Sequence, residues 1–481
     1  MIPESHPASI INDVLGPVMA GPSSSHTAGP ARLGRMVFEL CSGVARADIY
    51  YSCNGSYAAT LQGQASDQGF TAGLLGWGCA DERLPHAREF AEQAGISIRF
   101  HAVAEAYDHP NRAVIVAQNQ SGQTIKIDTL SIGGGNVRVT AINGVPVFLD
   151  GSRDVFVTVG EEIEITDEPT SAGCRKVRAV VPASRDPKWQ APFQTASEMQ
   201  KRFSGISSSL SQAALAYEQG LTGWEEPQIL AHMHMLLEVM ENAARQGTGI
   251  RESRHFRYLK PSAGSLEANR NHFIASGILD DGIIIATSIM EHDRNMGVIV
   301  AAPTAGSAGV LPAVLLPFLR KGDLKPGSLE RALLAAGLVG AFFSNQATFA
   351  AEEAGCQAEN GAASAMAAAA LVELSEGYAP LALKAAALAL SNLLGLVCDP
   401  VAGSVEIPCI SRNAMAAANA VVAANMVLGG FDPFIPFDEV VQAVRAIGDA
   451  MPSTLRCTAC GGLAATPTAR RIPLDSIGVT G

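Results

Sequence analysis

The sequence predicts an α/β N-terminal domain followed by a mostly all-α C-terminal domain. Two observations carry this. Before about residue 190, β-branched runs alternate with turn residues, and after it long alanine-rich stretches are apolar on nearly every side. Between them the segment PASRDPKWQAP, near residue 183, reads as a linker. The expected domains are therefore residues 1–185 and 191–481.

Each element has a local reason. Ala113-Val114-Ile115-Val116 is a strand core, and Ile125 and Ile127 alternate with polar neighbours. VRVTAI and VPVFLD flank Asn143-Gly144, a pair suited to a two-residue hairpin with positive φ at both positions. VFVTV and IEI follow around Gly160, and a helical stretch over 87–94 makes this half α/β. In 226–247, Ile229, Met233, Leu236, Leu237 and Met240 recur at helical spacing, with Gly247 as the expected C-cap. Residues 361–374, 379–397 and 413–428 are expected as buried helices at the centre of an all-α domain. No solenoid-type repeat is visible.

Composition narrows the function. Of 481 residues, 48% are hydrophobic and 17% charged, which gives enough apolar surface for a large core. The net charge of −12 argues against nucleic acid and anionic membranes as partners. MIPESHPASI lacks the basic and apolar regions of a secretory signal, and nine cysteines then suggest a reducing cytoplasm without disulfides. Residues 297–319 and 413–431 are uncharged, but prolines, glycines, asparagines and alanines fit a buried central helix of a soluble bundle better than a membrane span.

Four motifs carry possible chemistry. In GPSSSHTAGP (21–30), serine hydroxyls and backbone N–H groups at a helix start suit a carboxylate, and His26 suits a base; a capped polar turn is the plainer reading. SIGGGN (131–136) is either an anion nest or a tight turn. In AAPTAGSAG (301–309), Thr304 and Ser307 offer hydroxyls and Gly306 permits close backbone approach, or the loop simply breaks a helix. Cys356, Cys398 and Cys409 are the fourth set. Thiolates hold soft metals and iron–sulfur clusters, and three ligands on a four-iron cluster would leave one iron open to substrate. Buried free cysteines are the alternative. Cys457 and Cys460 form a CxxC, readable as a zinc half-site, a redox pair, a source of a fourth cluster ligand or two ordinary thiols.

Taken together, these strings resemble the iron–sulfur-dependent L-serine dehydratases (L-serine ammonia-lyases). GPSSSHTAGP and SIGGGN are similar to that family's β-domain signatures. AAPTAGSAG, GCQAENGAASAMAAAALVEL, NLLGLVCDPVAGSVEIPC followed by SRNA, and GGLAATPT are similar to its α-domain signatures, in the order β then α on one chain. The resemblance implies a β domain like the allosteric substrate-binding domain of some phosphoglycerate dehydrogenases and an all-helical α domain. It implies a 4Fe-4S cluster on Cys356, Cys398 and Cys409, a homodimer, and no pyridoxal phosphate. The reaction implied is loss of water from a β-hydroxy amino acid, then conversion of the enamine through an imine to a 2-oxo acid and ammonia. On this reading His26 is the first candidate for the base. Ser23, Ser24, Ser25 and Thr27 hold the carboxylate, and Thr304, Ser307 and Gly306 line the opposite side.

The chain also departs from the family pattern. It ends SIGVTG, without the terminal cysteine that caps the open iron in some members. Arg456-Cys457-Thr458 stands where an Arg-Glu-Thr run is usual, and Gly63-Gln64-Ala65-Ser66-Asp67 lacks a histidine. Further changes fall at 260–264, 294–297 and 346–353. Lys260 and Arg294, with Asn295 beside them, are therefore expected to pair with a second anionic group, as on a 3-hydroxy-aspartate-like substrate. Drift in a serine enzyme, a cysteine lyase releasing sulfide, and a non-catalytic cluster-based redox or metabolite sensor are the other readings.

Overall fold

The first strand, β1 (Val18–Ala20), leaves its own half and pairs antiparallel with Val298–Val300. The next six are β2 (Arg46–Ser52), β3 (Ser97–Val103), β4 (Arg112–Gln118), β5 (Thr124–Ser131), β6 (Val137–Ile142) and β7 (Val145–Leu149). They form one mixed sheet in the order β3-β2-β4-β5-β6-β7. Among the described residues of this sheet only β2 and β3 run parallel, and their long connection carries the helices Ser66–Leu74 and Ala87–Gln93, as a parallel crossover requires. These features come from a computed structural model that describes residues 7–472, apart from 161, 172, 187, 204–208, 254, 257, 323 and 376.

The sheet's register follows from its isoleucines. Ile49, Ile115, Ile127 and Ile142 are successive cross-strand partners and all are fully buried. They share a core with Leu33, Met36, Val37 and Leu40 of the helix Gly29–Cys41. Each such side chain is worth roughly 1.5–3 kcal/mol of burial. Asn143 and Gly144 make the expected turn, with φ of 51° and 82°. Around Gly160, β8 (Val155–Val159) and β9 (Ile163–Thr166) pair, and β10 (Arg175–Val177) joins the other edge of β8.

The C-terminal part is mostly helical. Ala362–Leu374 lies at its centre, against Ser328–Gln346, Ala379–Ser391, Val310–Lys321 and Cys409–Leu428. Residues 362–372 are all buried, so this helix has no polar face, and small alanines let four neighbours approach it. Several expected boundaries move. Gly247 does not end its helix, which runs Glu226–Gly249. A Cβ at Gly247 would stand 1.8 Å from the Ser288 carbonyl oxygen, so the glycine is there for a close helix crossing. The 379–397 helix stops at Ser391, and the last buried helix begins at Cys409 rather than 413. The apolar run 297–319 is a strand, a loop and the start of a helix rather than one helix. No helix among the described residues is long and apolar enough to cross a membrane.

The N-terminal segment interleaves the two parts. Ile10, Ile11, Val14 and Leu15 are fully buried in the helical core. Buried Glu218 anchors them, accepting from the Ser9 hydroxyl at 2.5 Å and the Ile10 N–H at 2.8 Å. Because β1 follows directly, the serine-rich loop after it is fixed against the helical part.

Candidate active site

The serine-rich loop forms one turn, Ser24–Ala28, that runs into the helix Gly29–Cys41. Ser23 caps it, its hydroxyl accepting from the His26 N–H at 3.2 Å. The His26 ring is buried between hydroxyls, with Nδ1 2.8 Å from Ser25 Oγ and Nε2 2.7 Å from Ser56 Oγ, and Tyr57 stands edge-on at 5.6 Å. Burial pulls its pKa below the ordinary histidine value, against the opposing pull of Glu352 and Asn111. At neutral pH it is therefore a neutral imidazole that can take a proton. Thr27 is spent on structure, donating to the Gln64 carbonyl at 2.8 Å.

The 301–309 loop meets this turn. The Ala305 N–H donates to Ser24 Oγ at 3.5 Å. Thr304 donates to Glu359 Oε1 at 2.8 Å, with the Ser307 hydroxyl 3.2 Å away. Ser307 is fully buried and faces the backbone carbonyls of Ala302 and Thr304 at 3.4 and 3.3 Å. Asn413 holds the loop at both ends, donating to the Gly306 carbonyl at 2.8 Å and accepting from the Gly309 N–H at 2.9 Å.

The cysteines lie beyond. Cys356 follows Gly355, whose φ is 73° and where a Cβ would meet the Leu396 carbonyl oxygen at 2.8 Å. Cys398 lies on an extended segment bridged to Arg456, and Cys409 opens the helix Cys409–Leu428. Cys356 and Cys398 share a small apolar cluster with Ala351, with Cys457 packed against it. Arg412, one turn after Cys409, places Nη1 3.7 Å from the Cys356 sulfur and Nη2 2.8 Å from Asp399. Interaction with the Cys356 and Cys457 thiols, then burial, pushes Cys398 up; burial and neighbouring acidic groups push Cys409 up, against Arg412.

One cavity joins the two parts. The N-terminal part lines it with Ser23, Ser24, Ser25, His26 and Gln64. The helical part contributes Gly306, Glu352 and Glu359, together with Cys398, Cys409 and Cys457. Glu359 is half-buried. Burial and the nearby Glu352 raise its pKa to about 7, against the Thr304 hydrogen bond and Arg412.

Sequence reasoning missed Glu359 and Arg412. Both had a signal in strings already in view. Glu359 is three residues after Cys356 and Arg412 three after Cys409, so a helical path puts each beside its cysteine. Conversely, Lys260, Arg294 and Asn295 do not come to the cavity. Lys260 is exposed. Arg294 is buried and paired with Glu406 at 3.1 Å, and Asn295 accepts from Ser253. The expected pairing with a substrate anion is thus corrected: Arg294 compensates a buried carboxylate that would otherwise be very costly. SIGGGN is a tight turn with φ of 93°, 60° and 85° at Gly133, Gly134 and Gly135, packed on Ala350 just before Glu352.

Comparison with known proteins now adds to this geometry. Residues 13–94 match the sequence profile of the serine dehydratase beta chain, and residues 171–464 that of the serine dehydratase alpha chain. L-serine dehydratase 2 of Escherichia coli (strain K12) is 30% identical over 470 residues, 92% of this chain and 96% of the relative. The chain belongs to the serine dehydratase family. The probable L-serine dehydratase alpha chain of Bacillus subtilis (strain 168) is 41% identical over 270 residues, 55% of this chain and 88% of its own length. The L-serine dehydratase alpha chain of Peptoniphilus asaccharolyticus is 44% identical over 208 residues, 43% and 71% of the two chains. In serine dehydratase terms, the cavity takes its serines, His26 and Gln64 from the beta-type stretch and its carboxylates and cysteines from the alpha-type stretch.

Proposed function

We propose that the chain is a lyase that removes water from L-serine or a close β-hydroxy analogue, yielding a 2-oxo acid and ammonia. The observation that carries this is the single cavity where a neutral buried imidazole, a carboxyl titrating near neutrality and a set of thiols converge.

The donor set fits a 4Fe-4S cluster on Cys356, Cys398 and Cys409. Thiolates are the soft ligands such a cluster needs. Arg412 and the start of the helix at Cys409 both favour anionic sulfur. Among the described residues, no three His, Cys, Asp or Glu side chains are set to hold a single metal ion, so the fit rests on the chemistry of the thiols rather than on a preformed cage. When bound, the cluster would supply a Lewis acid for the substrate's carboxylate and β-hydroxyl.

The protein's own groups do the rest. The hydroxyls of Ser23, Ser24 and Ser25 orient the substrate carboxylate beside His26. Neutral His26 takes the α-proton, with Ser25 and Ser56 fixing its ring. Glu359 holds a proton near neutral pH and delivers it to the departing hydroxyl. Water leaves first, and a water is consumed later when the imine hydrolyses. No lysine or arginine is among the described residues lining the cavity, which supports a neutral β-substituent over an anionic one. A cytoplasmic homodimer, with a β domain of the allosteric substrate-binding type, completes the proposal.

The test is turnover of L-serine by the anaerobically reconstituted chain and its His26→Ala variant. His26→Ala is expected to lower kcat by roughly 10²–10⁴-fold with its cluster absorbance intact. Unchanged turnover would remove His26 from the mechanism.

A further inference from the structure

We infer that Cys457 is a fourth thiolate ligand at the cluster site, anchored by its backbone and occupying the position that substrate must take. The inference rests on the cluster reading above. Spacing alone could not choose between Cys457 and Cys460. The structure separates them. Cys460 is exposed, with its thiol 3.2 Å from the Thr458 carbonyl oxygen. Cys457 is half-buried and lines the same cavity as Cys398 and Cys409.

Backbone geometry puts it there. The Cys398 N–H donates to the Leu455 carbonyl and the Cys457 N–H to the Cys398 carbonyl, each at 2.9 Å. This bridge clamps residue 457 to the segment bearing an established candidate ligand. Cys457 and Ala459 both take left-handed backbone, at φ of 59° and 54°. That conformation is unfavourable for a non-glycine residue. It turns the 457 side chain towards the other cysteines and leaves 460 outside. Asp399 secures the far end, accepting from the Leu463 N–H at 2.8 Å while pairing with Arg412 at 2.8 Å. Arg412 in turn reaches Cys356. The segment carrying Cys457 is thus tied to Cys398 directly and to Cys356 through Arg412, which lies on the helix that Cys409 opens.

At rest, Cys457 would then hold the cluster together with Cys356, Cys398 and Cys409. Cys457 binds as thiolate, releasing its proton. With a cluster bound, substrate would displace the Cys457 thiolate, which would take up one proton with no change in electron count. Because the backbone is clamped, release is a rotation about the Cα–Cβ bond rather than withdrawal of a chain segment.

The experiment compares the full chain with its Cys457→Ser, Cys457→Ala, Cys460→Ser and Cys356→Ser variants after anaerobic loading with ferrous iron and sulfide. Iron content and the electron paramagnetic resonance signal of the three-iron cluster are followed after one-electron oxidation by ferricyanide. The unaltered chain and Cys460→Ser should retain four irons. Both Cys457 variants should lose one iron at least roughly tenfold faster, since even outer-shell partners change metal affinity by about 10–100-fold. Equal rates in the unaltered chain and the Cys457 variants would overturn the inference. Iodoacetamide labelling of the unaltered chain is independent of variant folding: Cys457 should be protected when loaded and labelled when not, and equal labelling would also overturn it. If the unaltered chain takes up no cluster, or Cys356→Ser takes up a full one, the cluster reading itself fails and Cys457 falls with it.

Discussion

At the residue scale, Glu359 has the clearest consequence. Its carboxyl is half-buried, held by Thr304, and pushed up to about 7 by burial and by Glu352. As a proton donor it works below that value and stops working above it. Glu359→Gln is expected to reduce kcat/KM by roughly 10²–10⁴-fold and to abolish the decline of activity as pH rises through about 7. A pH–rate profile of the variant that keeps this limb would assign it elsewhere. Residue roles were only partly legible in the sequence. The serines, His26 and the cysteines stood out through their flanking strings taken together, since each alone had a plainer structural reading. Glu359 did not, since a glutamate near a helix is usually a solvated one and only its place in the cavity distinguishes it. Arg294 misled for the opposite reason: an arginine near a site is a fair anion partner until a buried Glu406 is seen to need it.

At the element scale, the sequence showed which segments are helices and strands better than where they stop. Alanine-rich runs without a polar face announce buried helices, and the Asn143-Gly144 turn announces a hairpin. Ends depend on neighbours that lie far off in the chain. Gly247 shows this, since it reads as a cap but serves a crossing with the helix Ile278–Arg294 at Ser288. Gly247→Ala should destabilise the apo protein by about 1–3 kcal/mol, as inserting a methyl into a packed contact does. Urea denaturation measures it, and an unchanged midpoint would mean that the crossing relaxes freely.

At the scale of the whole molecule, the two-part organisation was legible but its interleaving was not. Residues 8–20 precede the α/β sheet yet pack into the helical core and extend it by a three-residue strand pairing. Local periodicity carries no record of such a partner. The interleaving is what positions the serine loop against the cysteines. Ile10 sits against Gly337, where a Cβ would come within 2.2 Å of it, so the fit is close. Ile10→Ala is expected to cost about 2–5 kcal/mol and to lower activity by loosening the loop, visible as faster proteolysis of the N-terminal segment. Stability unchanged by this substitution would separate the segment from the core.

The central claim is that the junction cavity dehydrates a neutral β-hydroxy amino acid. The direct measurement is product formation by the anaerobically reconstituted chain given L-serine or 3-hydroxyaspartate in parallel. Equimolar 2-oxo acid and ammonia from L-serine, in clear preference to the anionic analogue, is the result expected from a cavity lined by serines, His26 and Glu359 with no lysine or arginine among its described lining residues. A fully loaded chain that leaves L-serine untouched, or that prefers 3-hydroxyaspartate, would contradict it.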